Sequence, residues 1–129
     1  MSFVRILNDP DRVIYISGPM SGVEDFNYPY FEDVQSRLTV DGYTVLSPHE
    51  VDNSDVPVGE KSYGWYLSRA IEMQLQSNCW CGLPGWVDSK GAMREFNLAR
   101  DLGHEMILFI ENPKNQDYSL LHMRSRSLT

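Results

Sequence analysis

The sequence has no excess of cations. Eleven Lys and Arg stand against 18 Asp and Glu, a formal charge of −7, whereas a surface that tracks a polyphosphate backbone needs the opposite balance. Nucleic-acid polymers are therefore set aside as partners; small nucleotides are not. Long apolar runs are missing too. No run approaches the roughly 20 residues of a membrane-spanning helix, and the start MSFVRILNDPDR lacks a signal peptide's apolar stretch, so a cytoplasmic protein without a membrane partner is expected. Cysteine is scarce: Cys79 and Cys81 alternate within one apolar segment and read as small core hydrophobes. His49, His104 and His122 show no zinc-type spacing with each other or with the cysteines, so neither a metal nor a cofactor is assigned. Phosphate-loop motifs are also lacking. The turn Gly18-Pro-Met-Ser-Gly22 does not have G-x-G-x-x-G spacing, and in Gly59-Glu60-Lys61-Ser62 a Glu separates the Gly from the Lys.

What is there suits one soluble domain: 129 residues, 42% hydrophobic and 22% charged. Arg12 to Ser17 is a β-branched and aromatic run that stops at the Gly18–Gly22 turn, a first strand. Phe31, Val34 and Leu38 predict an amphipathic helix over Pro29 to Asp41, ended by Gly42, and Tyr43 to Leu46 a second strand. Ser47 to Ser62 is a long loop of the length usually reserved for function, a candidate lid. Leu67, Ala70, Ile71 and Leu75 mark the inner face of a helix over Tyr63 to Ser77. Cys79 to Leu83 is a third strand, Ser89 to Leu102 a third helix stopped by Gly103, and Glu105 to Ile110 a fourth strand. The tail from 112 to 129 is polar and weakly patterned. This β-α-β-α-β-α-β order predicts a small doubly wound α/β fold with helices on both faces of a mainly parallel sheet. Ligands of such sheets bind beyond the carboxyl ends of the strands, here between the turns Gly18–Gly22 and Pro84–Gly91.

The third helix carries the most informative pattern. Lys90, Arg94, Asn97 and Asp101 form a solvent stripe, while Ala92, Phe96, Ala99 and Leu102 form the inner one. Glu95 falls on the inner side. A carboxylate there must be paired, hydrogen-bonded, raised in pKa or facing a cavity, and the choice lies between a site residue and a core-edge ion pair with Arg69, Arg100 or another base. Asp88 and Ser89 open the same helix; one is expected to cap it, leaving the other beside unpaired N–H groups that suit an anion. Tyr15, near the end of the first strand, is either a packed strand aromatic or a site residue. The turn holding Gly18, Met20, Ser21 and Gly22 offers backbone N–H groups and a hydroxyl to a ligand, or is simply a tight turn.

Tyr15-Ile-Ser-Gly-Pro-Met-Ser-Gly22, with Leu83-Pro-Gly-Trp-Val-Asp-Ser-Lys-Gly-Ala-Met-Arg-Glu95, Ala99 and Gly103, resembles the nucleoside 2-deoxyribosyltransferase superfamily. More closely it resembles the small phage and bacterial branch known as DUF4406, and it is similar to the 2′-deoxynucleoside 5′-phosphate N-hydrolases. The likeness covers about residues 12 to 110. It implies a Rossmann-like (flavodoxin-like) three-layer sandwich, a homo-oligomer that shares site residues between subunits, and a nucleoside or nucleotide as small-molecule partner. It also implies cleavage or transfer at an N-glycosidic bond. On this resemblance Glu95 is the carboxylate that attacks C1′ and Tyr15 orients it. Gly18, Met20, Ser21 and Gly22 lie under sugar and base, Trp86 lines the substrate, and Ser89 and Gly91 face the sugar 5′ position or its phosphate. Where the family has an Asp that helps the base leave, register puts Asn78, which can donate a hydrogen bond but deliver no proton. Either Asp88 is then the substitute acid or the substrate has a good leaving group. The alternative is a protein that binds nucleotides on the same scaffold with little turnover.

Overall fold

A computed structural model describes residues 11–53 and 62–123. The first strand, β1 (Val13–Ser17), is an interior strand of a five-stranded sheet. It is followed by α1 (Tyr28–Val40), β2 (Thr44–Leu46), α2 (Tyr63–Leu75), β3 (Cys79–Gly82), α3 (Lys90–Leu102), β4 (Glu105–Asn112) and β5 (Asp117–His122). Strand order is β2-β1-β3-β4-β5. The first four strands are parallel, with Tyr15 opposite Leu46 on one side and Trp80 on the other, and β5 returns antiparallel on β4. The fold is the expected α/β three-layer sandwich with a mainly parallel sheet.

Strand alternation divides the interior into two cores. Ile14 and Ile16 point to the side covered by α1, where Phe31, Val34, Leu38, Cys79, Cys81, Ile107 and Phe109 close an apolar cluster. Tyr15 points to the opposite side, where Trp80 and Ala99 are buried among Met73, Trp86 and Phe96. The Cys79 thiol is pushed up to about 12 by burial, and Cys81 is raised for the same reason. Neither thiol is reactive in this setting.

The helix boundaries fall within one or two residues of those read from periodicity, and three expectations need correcting. The weakly patterned tail contains a strand that was not foreseen: β4 runs on to Asn112, and β5 follows a turn in which Gln116 adopts a left-handed conformation. In β5 only Leu120 is buried and Tyr118 packs half-buried on Phe109, a pattern too sparse to register as a strand in isolation. In α2 the inner face is Ala70 and Gln74, whereas Leu75 lies outside. In α3, Leu102 is 43% exposed and lies outside the inner face, whose buried residues are Ala92 and Ala99. Of the candidate lid, Pro48–Asn53 forms a 3₁₀ turn, and its stretch 54–61 lies outside the described residues. No helix among the described residues is long and apolar enough to cross a membrane.

Candidate functional site

The carboxyl ends of β1 and β3 carry the two glycine-bearing turns, and the fold presses them together. Leu83 N donates to Ser17 O at 2.8 Å. A Cβ on Gly18 would stand 3.0 Å from Leu83 Cβ, and one on Gly85 would stand 3.1 Å from Pro19 Cγ. Gly85 also has φ +88°, a conformation that penalises any side chain. These glycines are therefore required for the turns to meet. Asn27 Nδ2 pins the first turn by donating to Pro19 O at 2.9 Å.

Directly beside this junction α3 presents Glu95. The helix starts with Ser89 as its cap, the hydroxyl oxygen accepting from Ala92 N at 3.2 Å, which resolves the Asp88/Ser89 choice. Its inner side is formed by small residues, Ala92 and Ala99, so the helix sits close to the sheet and Glu95 reaches β1. There its two oxygens are held by alternate residues of one strand. The Tyr15 hydroxyl donates to Oε2 at 2.8 Å, and Ser17 Oγ donates to Oε1 at 2.6 Å. From α2, Gln74 Nε2 donates to the Glu95 main-chain carbonyl at 2.6 Å and fixes the turn of helix that carries the carboxylate.

Burial raises the Glu95 carboxyl to about 7, and the hydrogen bonds from Ser17 and then Tyr15 hold it back from rising further. The Tyr15 phenol is raised well above its usual range, first by burial and then by the neighbouring Glu95 charge, so it remains a donor. An ion pair with Arg69 or Arg100 is not what stabilises Glu95: Arg69 pairs with Glu72, and Arg100 donates to Asn97. A carboxylate thus desolvated and aligned at the strand ends can act as a nucleophile or exchange a proton near neutrality.

The other predicted residues divide by position. Gly18 is buried in the turn junction, Met20 is half-buried against the α1-side core, and Ser21 and Gly22 are exposed. Asp88 is exposed at the end of the 3₁₀ turn Trp86–Asp88, and Gly91 is exposed in the first turn of α3. Trp86 packs half-buried between Trp80 and Phe96, with ring centroids 4.9 and 5.0 Å away. Asn78 is not brought to this junction. It precedes β3 at the amino end of the sheet, where its Oδ1 accepts from Val13 N and its Nδ2 donates to Asp11 O, both at 2.8 Å. That position is a staple between β1 and β3, so the expectation that Asn78 faces a departing base is corrected. Ser17 and Gln74 were not singled out by sequence. Ser17 shares Tyr15's strand parity, which was a usable signal; Gln74, one turn after Ala70 on an inner helix face, was another.

The family model described as a domain of unknown function, DUF4406, matches residues 12–108. The chain belongs to the DUF4406 family. Its fold resembles that of a 2-deoxyribosyltransferase from Bacillus psychrosaccharolyticus, at TM-score 0.58 and 23% identity over 74% of this chain and 70% of that one. It also resembles a 2-deoxyribosyltransferase from Leishmania mexicana, at TM-score 0.57 and 18% identity over 78% of this chain and 65% of that one. No curated protein matches the chain in sequence. The DUF4406 match spans both turns, β1 and all of α3, and so contains the whole Tyr15–Ser17–Glu95 arrangement.

Proposed function

We propose that this DUF4406 protein cleaves or transfers at the N-glycosidic bond of a deoxynucleoside or its 5′-monophosphate, with Glu95 as nucleophile. The observation that carries the reading is the desolvated Glu95 carboxylate held by Tyr15 and Ser17 at the strand-end junction. The likeness of the fold to 2-deoxyribosyltransferases supports it. In the first step a Glu95 oxygen bonds to C1′ as the C1′–N bond breaks, its electron pair leaving with the base. The transition state is oxocarbenium-like, and a carboxylate beside it offsets the developing charge. In the second step water or an acceptor base attacks C1′ and Glu95 departs as a carboxylate.

With Asn78 at the far end of the sheet, Asp88 is the carboxylate assigned to protonate the leaving base, a contribution of about 10²- to 10⁴-fold. Ser89 accepts from Ala92 N but keeps its own O–H for a ligand. With Gly91 it forms the assigned 5′ subsite at the start of α3. Gly18, Met20, Ser21 and Gly22 are assigned to sugar and base, and Trp86 holds the opposite turn.

A second reading, a nucleotide-binding protein with little turnover, is favoured by the exposure of Asp88, which leaves the assigned acid in contact with solvent. Base release from a panel of deoxynucleosides and monophosphates, with and without an acceptor base, decides between them. Release that is lost in Glu95→Gln supports the enzyme; binding without release supports the second reading.

A further inference from the structure

Tyr15 and Ser17 are two residues apart on β1 and therefore face the same side, and each takes one oxygen of Glu95. A single donor would leave the carboxylate free to turn about its last bond. Two donors from one rigid strand fix its plane. The Ser17 contact is the shorter, at 2.6 Å, and Ser17 is 0% exposed, so water does not compete for it. Ser17 also anchors the junction through its carbonyl, which accepts from Leu83 N at 2.8 Å. Its backbone position is thus set by β3 and its hydroxyl is delivered to α3. We infer that Ser17 is a positioning residue that locks the Glu95 carboxylate plane and keeps it ionised for attack. This inference rests on Glu95 being the nucleophile proposed above.

The surroundings leave this role to hydroxyls. From β1 the titratable neighbour is Tyr15, which stays protonated. From β3 the side contributes Trp80, and from α2 the uncharged Gln74, whose contact is with main chain. On α3 itself Arg94 is exposed and donates to Tyr63, and Arg100 donates to Asn97. Asp88 lies exposed on the preceding turn. Among the described residues no cation offsets the burial of Glu95, and the two hydroxyls alone favour its charged form.

The test reads the Glu95 carboxyl directly. With 13C-labelled glutamate side chains, the resonance missing from Glu95→Gln identifies Glu95, and its titration is followed in wild type and in Ser17→Ala. The expected result is a midpoint raised by about one pH unit in Ser17→Ala, with amide resonances outside the junction unchanged. Should the alanine variant lose its fold, Ser17→Cys, close in shape and a much weaker donor, gives the same reading. The acid limb of the pH profile of kcat/KM should move upward with it, and the alkaline plateau should fall about tenfold. An unmoved Glu95 midpoint, or a rate lowered equally at every pH with the limb in place, overturns the inference. A shifted midpoint in a protein that releases no base overturns the proposed reaction instead, and leaves the Ser17–Glu95 coupling measured.

Discussion

The two faces of β1 do different work with the same five residues. Toward α1, Ile14 and Ile16 enter an all-apolar cluster. Toward α2 and α3, Tyr15 and Ser17 enter a layer that also contains Gln74 and Glu95, and there Gln74 Oε1 and Trp80 Nε1 are buried without a hydrogen-bond partner among the described residues. Apolar burial stabilises without directional demands, whereas buried polar groups cost free energy unless fully satisfied. The α1 face therefore carries stability, and the α3 face gives some of it up to hold a desolvated carboxylate.

The largest expected effect concerns the α1 face. Phe31 is fully buried there, and Phe31→Ala should cost about 3 to 5 kcal/mol in denaturant unfolding. The Glu95 titration of the folded fraction should stay in place; a moved midpoint would show that the faces are not separate. The opposite sign is expected for Glu95→Gln. A carboxyl raised from 4.5 to about 7 in the fold favours the folded state most below 4.5, and that advantage is lost as pH rises through 7. By pH 8 the ionised carboxylate costs about 3 kcal/mol. Glu95→Gln, which keeps the side-chain shape and a rotatable partner for both hydroxyls, should therefore be more stable than wild type at pH 8, with the gain shrinking toward pH 4.5. Urea unfolding at several pH values measures it.

Gly82 leaves room for the two indoles on the α3 face. A Cβ on it would lie 2.6 Å from the Trp80 ring and 3.0 Å from Trp86, so Gly82→Ala should cost about 1 to 3 kcal/mol by overpacking. Ser89→Ala should cost about 1 kcal/mol through loss of the α3 cap, and calorimetry should show it weakening a monophosphate more than a nucleoside. Smallest is Asn78→Asp. It removes the donor to Asp11 O, so a loss of about 1 kcal/mol is expected, with turnover per folded molecule unchanged because the residue stands at the other end of the sheet.

Most of the α/β order was legible because strands and helices alternate with clear punctuation, and Glu95 stood out as a charge on an apolar helix side. What was not legible depended on tertiary register. Asn78 lies one residue before β3, so a linear motif places it beside the third strand but does not say at which end its side chain bonds. β5 was missed because a hairpin strand at a sheet edge needs few apolar residues. Ser17 was overlooked because a serine closing a strand looks like the beginning of a turn, and only the approach of α3 turns its hydroxyl into a partner.

The β4–β5 hairpin has a bearing on how the chain assembles. Asn112 pairs with Asp117 across a short turn, so this corner can form by local closure in about 1 to 10 μs. Joining Ile14 to Cys79 must instead bring together segments 65 residues apart, which is the slow kind of closure. The antiparallel corner gives β3 a preformed edge on β4 to dock against, and the Ser17–Glu95 junction is complete only once β1 has paired with β3 across that long separation.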